Sequence, residues 1–251
     1  GWFDMDKTRF RFGFPEKIGG WVKKSSNAYL GSARALHPWV ALDGTPFLGI
    51  GTNLKYYIDE GGGFNDITPV RATTTNGIVF AATNGSSTIT ATDSDHGAIV
   101  DDFVTISGAV TLGGLITADV LNQEYIILTV PDSDTFTFEA RAAGTSIPSI
   151  TTTSGLNPTP VVANSSDTGN GGSGADAVWN SASNLSVAGA TLRIWSHDNF
   201  GEDLIINARD SGIFYWDKSG GTGARAVELS SLTNSNLAPT IAKKVLVSDA
   251  D

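Results

Sequence analysis

The sequence predicts an all-β protein of β-propeller-type blades, each a meander of short antiparallel strands, with a small β module inserted between them. The first observation is a content of 29 Gly and 9 Pro in 251 residues, which interrupts almost every window where a helical period could run. The second is a series of short apolar or alternating runs bounded by Asp-Gly, Asn-Gly and Gly-Gly pairs, which is typical of meanders and hairpins. The third is an internal repeat of one such meander, as in the blades of a propeller.

Residues 1–71 contain an N-terminal strand region and the first blade-like meander. In residues 9–12 (RFRF), charged and aromatic side chains alternate, as they do in a half-buried strand. Two further strands are predicted at residues 47–50 (FLGI) and 54–58 (LKYYI), and the meander ends in residues 66–69 (DITP). Because the chain starts on Gly rather than Met, we expect it to be an excerpt of a longer protein.

Residues 191–251 form a second blade-like meander and the start of another. Residues 206–221 (INARDSGIFYWDKSGG) repeat the order of residues 50–62 (IGTNLKYYIDEGG): apolar strand, polar turn, aromatic strand, acidic residue and Gly-rich turn. A further short strand follows in each unit. This repeat favours propeller blades, and two unrelated hairpins of a β-sandwich are the alternative.

Residues 72–160 differ in kind from both meanders and are predicted to be an inserted β-rich module. They hold nine acidic residues and a single basic one, Arg141. Strands are predicted at residues 87–92, 103–107, 125–130 and 135–140. Residues 161–190, rich in Gly, Ser and Asn, are predicted to be a long loop.

Composition and charge exclude several classes of function. The net charge of −10 argues against a general nucleic-acid-binding surface, which needs basic residues to neutralise phosphates. A chain without Cys has no disulfide, thiolate zinc site or cysteine nucleophile. No run approaches the roughly 18 apolar residues of a membrane span. The three His are far apart and lack metal-ligand spacing, so we predict no catalytic residue, no metal and no cofactor.

Two local patterns have a structural and a functional interpretation. The acidic pairs are Asp93 and Asp95, Asp101 and Asp102, and Asp132 and Asp134. We predict solvated turns there, with a Ca²⁺ site as the alternative, although none of them shows a full EF-hand loop. Residues 169–174 match GxGxxG, but they follow no apolar strand and open no helix, so they are predicted to be a loop.

Several segments resemble a family of tailed-bacteriophage virion proteins. They are residues 9–21 (RFRFGFPEKIGGW), 39–45 (WVALDGT), 51–55 (GTNLK), 66–69 (DITP) and 195–207 (WSHDNFGEDLIIN). In content and order they are similar to tail nozzle or tail-hub proteins of podovirus-like phages, of the tail tubular protein B type. The family fold is a β-propeller with inserted domains, and residues 96–108 and 121–138 resemble a β module often inserted in phage structural proteins. Because family members are longer than this chain, the resemblance implies an incomplete propeller.

The resemblance implies a structural, non-enzymatic protein of the virion, within a phage tail nozzle or hub. It would form part of the ring conduit for genome ejection, with copies of itself and adjoining tail or portal-adaptor proteins as partners. Viral DNA would pass without specific binding, and an acidic wall suits such a conduit because it repels phosphate.

The N-terminal 24 residues are basic on an otherwise acidic chain, with six basic and three acidic residues. The candidate protein-contact residues are Arg9, Arg11, Lys17, Lys23 and Lys24. A merely solvated strand is the alternative interpretation of this zone.

Two other functions stay open at the level of the sequence. One is a carbohydrate-binding adhesin or receptor-binding module of a tail, with residues 72–160 as the recognition element. The other is a propeller hydrolase, since residues 210–212 (DSG) before Trp216 are similar to an Asp-box turn. Such turns are structural, however, and support blade geometry more than hydrolysis.

Overall fold

The computed structural model describes residues 6–20, 22, 25, 27–144, 160–167, 175–180, 193–235 and 237–248. Across these residues the regular structure is nearly all antiparallel β, which confirms the predicted fold class. A four-residue α-helix and two 3₁₀ turns are the helical elements of the described part. None of its helices has the length and apolar character that crossing a membrane requires.

The N-terminal strands form a separate hairpin. β1 (Thr8–Arg11) pairs antiparallel with β2 (Phe14–Lys17) in a two-stranded sheet. Phe12 and Gly13 form the connecting turn, and both have positive φ, at 51° and 84°. Two such residues give a turn of type I′, whose twist matches that of the flanking strands.

The first meander is a four-stranded antiparallel sheet with its strands in chain order. Its members are β3 (Ala33–Val40), β4 (Pro46–Thr52), β5 (Tyr56–Glu60) and β6 (Gly63–Asp66). The hydroxyl of Thr52 accepts hydrogen bonds from the backbone N–H groups of Leu54 and Lys55, which closes the turn between β4 and β5.

The next sheet has six strands and curls around its own core. Its members are β7 (Val70–Ala82), β8 (Thr88–Thr92), β9 (Phe103–Ser107), β10 (Glu124–Ile126), β11 (Thr135–Glu139) and β12 (Ala175–Asn180), with α1 (Ala118–Leu121) before β10. Their order is β10-β9-β12-β7-β8-β11. β7 carries a bulge opposite Ala175–Ala177, so its first half pairs with β12 and its second half with β8. A bridge from Thr129 to Thr137 then brings the two ends of the sheet together.

One strand of this sheet lies where a loop was predicted. Within residues 161–190, Ala175–Asn180 form β12, which pairs with both β7 and β9 near the centre of the sheet. Ala175, Ala177 and Trp179 alternate into the core, each at most 1% exposed. The run is short and lies between a Gly-rich segment and one rich in Ser and Ala, which gives the whole stretch the composition of a loop. Its period of two is nevertheless that of a strand. The predicted domain boundaries themselves remain predictions.

The second meander repeats the first. β13 (Trp195–Phe200), β14 (Asp203–Ala208), β15 (Ile213–Trp216) and β16 (Val227–Glu228) pair antiparallel in chain order. Side chains of both meanders fill one shared core, which contains Trp39, Phe47, Tyr56, Ile58, Trp195, Ile206 and Trp216. Two blade-like sheets therefore pack together on one face, while the six-stranded sheet has a core of its own.

Candidate assembly surfaces

Three of the predicted contact residues lie on the β1–β2 hairpin. Arg9 is opposite Glu16 and donates from Nε to its carboxylate at 2.6 Å, in an ion pair that is open to solvent. Arg11 and Lys17 are exposed, and the Arg11 guanidinium lies 5.6 Å from the ring centre of Phe12. Lys23 and Lys24 lie outside the described residues. The hairpin therefore groups the described candidates on one small element.

The same hairpin exposes aromatic side chains. Phe10, Phe12 and Phe14 are 54%, 89% and 76% exposed, and Ile18 is 50% exposed. Phe12 holds a left-handed φ of 51°, which costs a bulky L-residue on the order of 1 kcal/mol relative to an extended conformation. The alternating pattern of residues 9–12 predicted a half-buried strand, but the structure leaves both of its faces in contact with solvent.

The contact between the two meanders is aromatic at its centre. Trp39 stacks on Phe47 at 5.3 Å, and Trp216 meets the two rings edge-on at 6.4 and 6.0 Å. The Trp195 indole donates to the backbone carbonyl of Thr52 at 2.7 Å. Trp39 and Trp195 bury their rings and still satisfy their indole N–H groups, whereas the buried N–H of Trp216 has no partner among the described residues. The two bonded indoles fix both the distance and the register of the two sheets.

A charged group closes the rim of this contact. Lys218 Nζ lies 2.8 Å from a carboxylate oxygen of Asp43 and 2.9 Å from one of Glu202. Glu202 also accepts from the backbone N–H of Leu42 and, through its carbonyl, from the indole of Trp39. The hydrogen bond from Lys218 holds the pKa of Asp43 well below its usual range. Turns from the two meanders are thus joined through Lys218.

Two histidines meet between the sheets. His37 on β3 and His197 on β13 have ring centres 4.9 Å apart, and His197 Nδ1 lies 2.8 Å from the hydroxyl of Tyr56. Burial raises the pKa of Tyr56, so its hydroxyl keeps its proton and donates to Nδ1 of a neutral imidazole. Burial, with a smaller contribution from His37, lowers the pKa of His197 to about 4. This site is built to hold an uncharged ring.

A buried lysine joins the first meander to the six-stranded sheet. Lys55 is 2% exposed, and its Nζ lies 2.7 Å from Asp66 and 2.5 Å from Glu124 of β10. The same ammonium group lies 4.8 Å from the ring centre of Phe103. Asp66 also pairs with Arg225 of the second meander at 3.0 Å. Burial alone would raise the pKa of Asp66, but Lys55 and Arg225 lower it. The two meanders and the six-stranded sheet therefore all contribute to one ion cluster.

The predicted acidic pairs divide between the core and the surface. Asp93 is buried and accepts from the Trp179 indole at 3.0 Å and from the Thr74 hydroxyl at 2.9 Å. Asp102 is buried and accepts from the backbone N–H of Ile99, and burial raises its pKa to about 6. Solvated turns were the wrong prediction for these two carboxylates. In the part of the chain that the structure describes, no group of three or more His, Asp or Glu side chains is placed to hold a metal ion.

The other carboxylates of these pairs lie on two connections that meet at one end of the six-stranded sheet. They are Asp95, Asp101, Asp132 and Asp134, all exposed. The connection from β8 to β9 meets the connection from β10 to β11 here, since Asp95 N donates to Asp134 and Asp101 N to the carbonyl of Ile127. Val100 directly precedes Asp101, and Leu128 directly follows the Ile127 that accepts from Asp101; their side chains are 50% and 45% exposed. We call these six residues the acidic end.

Sequence reasoning missed Lys55 and Lys218 as contact residues. Lys55 lay in a predicted strand and Lys218 beside a Gly-rich turn, and their partners Glu124 and Asp43 lie 69 and 175 positions away. The one available signal was that each follows or precedes an aromatic strand of the repeated unit.

No protein-family model matches the chain, and no curated protein matches it. Among solved structures it is similar to the phage phi92 endosialidase, at 13% sequence identity and a TM-score of 0.28. The alignment covers 86% of this chain and 32% of the endosialidase, so the chain spans about a third of that protein. A likeness this distant supports no argument about the fold or the function of the chain.

Proposed function

We propose that this chain is a structural protein of a phage tail nozzle or hub, whose copies form part of the ring conduit for genome ejection. It acts through shape, assembly and surface charge, without a chemical step. Its location is the virion, and its partners are copies of itself and the adjoining tail or portal-adaptor proteins.

The observation that carries this proposal is the place of the segments that resemble nozzle proteins. Residues 39–45 contact residues 195–207 through the hydrogen bond from Trp39 to Glu202, and residues 51–55 contact them through that from Trp195 to Thr52. Residues 66–69 contribute Asp66 to the Lys55 cluster. Several of the segments that resemble nozzle proteins therefore contact one another where one blade packs against the next. The resemblance thus includes the residues that hold the blades together, which supports a shared architecture.

The buried histidine and carboxylates, the side chains most capable of catalysis, support a structural role. His197 is kept neutral by its burial between the two blades and lies against the hydroxyl of Tyr56, and Asp93 and Asp102 are bound by indole, hydroxyl and backbone donors of the core. The acidic surface, on a chain of net charge −10, suits a passage for DNA because it disfavours phosphate adsorption.

Locating the chain in the assembled particle tests the proposal. An affinity tag inserted in the exposed turn at Asn84 and Gly85 can be labelled and imaged by electron microscopy of whole virions. We expect label in a ring on the tail axis. Label on peripheral fibres would contradict the nozzle or hub role and support a receptor-binding or carbohydrate-binding adhesin. The same tag on the exposed turn at Gly201 controls for disturbance of the module by the insertion.

A further inference from the structure

We propose that the β1–β2 hairpin is an assembly arm that docks on the acidic end of a second copy of this chain. The inference deepens the proposed ring function and rests on it for its biological setting. The contact itself is derived from the exposed residues of the two surfaces and is tested separately.

The hairpin is an incomplete structural unit. Two strands with no further sheet and no packed face are marginally stable in water, and in the described part of the chain this sheet consists of β1 and β2. Its aromatic side chains remain in solvent within the described chain, with Phe12 at 89% exposure. A second surface that covers these rings would therefore stabilise the hairpin together with the contact.

The tip of the hairpin exposes an aromatic ring to solvent. Phe12 occupies a left-handed backbone position that Asn, Asp or Gly would fill at lower cost, and it points its ring away from the chain. Arg11 lies against that ring. An exposed aromatic group beside a guanidinium is the combination that is enriched at the centres of protein interfaces.

Charge selects the surface that receives the arm. Residues 6–20 carry four basic and two acidic residues, whereas the acidic end presents four exposed carboxylates. Beside Asp101, Val100 and Leu128 supply exposed apolar area for the phenylalanine rings. The single Arg of residues 72–160, Arg141, is 4% exposed. The neighbouring Arg71 donates to the carbonyls of His96 and Gly97 and pairs with the buried Asp102, so the four exposed carboxylates outnumber the one partly exposed cation beside them. The two surfaces are thus complementary in charge and in apolar content.

A contact between two different patches is heterologous. When the same patches of each copy join head to tail, the assembly closes into a ring or extends as a filament. The arm therefore supplies the type of contact that a ring of identical copies needs.

A charge swap between two versions of the full chain tests the contact. Arg11→Glu with Lys17→Glu reverses the arm, and Asp95→Lys with Asp101→Lys reverses the acidic end. We expect wild-type chain to self-associate in sedimentation velocity, and each reversed version alone to associate at least about tenfold more weakly. An equimolar mixture of both versions should recover association, because each interface then pairs opposite charges. Asp95→Asn with Asp101→Asn is the control that removes charge while it preserves left-handed backbone positions.

Cross-linking locates the contact within the assembly. Since the chain has no Cys, Arg11→Cys in one tagged copy and Leu128→Cys in another provide a unique pair. Mild oxidation should give a disulfide between the two copies. The matched control is Leu246→Cys, another exposed leucine, which should not cross-link to the arm.

Several results would overturn the proposal. They are a wild-type chain that stays monomeric at high concentration, single reversals that leave association unchanged, a mixture that fails to recover it, and equal cross-linking to positions 128 and 246. A disulfide that forms in a chain carrying both Arg11→Cys and Leu128→Cys, but not between differently tagged copies that carry one Cys each, would assign the arm to its own chain. If the label lies in a ring on the tail axis but the charge swap fails, the arm is rejected and the nozzle role is kept. If the swap succeeds but the label lies on peripheral fibres, the arm is kept and the nozzle role is rejected.

Discussion

The indole of Trp195 lies directly on the backbone of Gly51. A Cβ at position 51 would be 2.6 Å from Cδ1 and 2.8 Å from Cβ of Trp195, well inside van der Waals contact. The same indole donates to the carbonyl of Thr52, the next residue, and meets the ring of Tyr56 edge-on at 5.1 Å. The absence of a side chain at position 51 therefore sets how closely the two meanders approach.

We expect Gly51→Ala to destabilise the fold by about 1–3 kcal/mol, because the added methyl group must displace a packed indole. Urea unfolding monitored by Trp fluorescence measures the change. Gly223→Ala is the control, since a Cβ there meets no atom within 4 Å. Equal unfolding midpoints for the two variants would show that the sheets are not held at this distance.

Lys55→Met is expected to destabilise the fold by about 2–3 kcal/mol, because it leaves the carboxylates of Asp66 and Glu124 in a largely buried site without their shared cation. Glu124→Gln should cost less, about 1 kcal/mol, since Lys55 keeps its pair with Asp66. Lys7→Met, at an ion pair whose side chains are 83% and 86% exposed, should change stability by less than about 0.5 kcal/mol. If the Lys55 variant is as stable as the Lys7 variant, the ion cluster around Lys55 does not stabilise the fold.

Acid should weaken the contact between the meanders through His197. Its pKa in the folded chain is about 4, below the 6.5 of an unperturbed imidazole, so the unfolded chain binds the proton more readily between these values. Stability is therefore fully present above pH 6.5 and decreases as the pH falls towards 4.

The measurement is the slope of unfolding free energy against pH in wild type and in His197→Asn, whose side-chain oxygen can still accept from Tyr56. Between these two pH values the slope should be smaller in the variant, by an amount that corresponds to the uptake of up to about one proton on unfolding. With three His in the chain, NMR titration of the ring signals gives the pKa directly. An His197 signal that titrates near 6.5 would contradict the buried, neutral ring.

Deleting the module should succeed or fail according to where the cut is made. Replacement of residues 72–160 by a Gly-Ser linker leaves β12 without β7 and β9 and exposes Trp179, which is 1% exposed in the intact chain. Replacement of residues 72–180 removes this strand as well and retains the shared core of the two meanders, which includes no module residue.

We therefore expect the longer deletion to give more soluble protein and a cooperative melt by near-ultraviolet circular dichroism, and the shorter one to aggregate. Both deletions remove Glu124 and Phe103 from Lys55, so that loss does not distinguish them. A shorter deletion that behaves better would place β12 outside the module.

The sequence by itself determined the elements whose causes are local. The aromatic run of β15 and the alternation of β11 predicted their strands, since side-chain direction in a strand reverses with each residue. Asp-Gly and Gly-Gly pairs predicted the turns because these residues adopt the backbone angles that tight turns need. The repeated meander and the basic character of the N-terminal zone could likewise be predicted from residues that are neighbours in the sequence.

Only the tertiary structure decided which distant residues meet. The same local pattern that predicted the strand of Lys55 gave no sign that its ammonium group is buried against Glu124, 69 positions away. The exposure of Phe12, the contact of Trp195 with Gly51 and the central place of β12 also depend on how whole sheets pack. Backbone preference is set within a few residues, whereas burial and ion pairing are set by chain segments that meet only after folding.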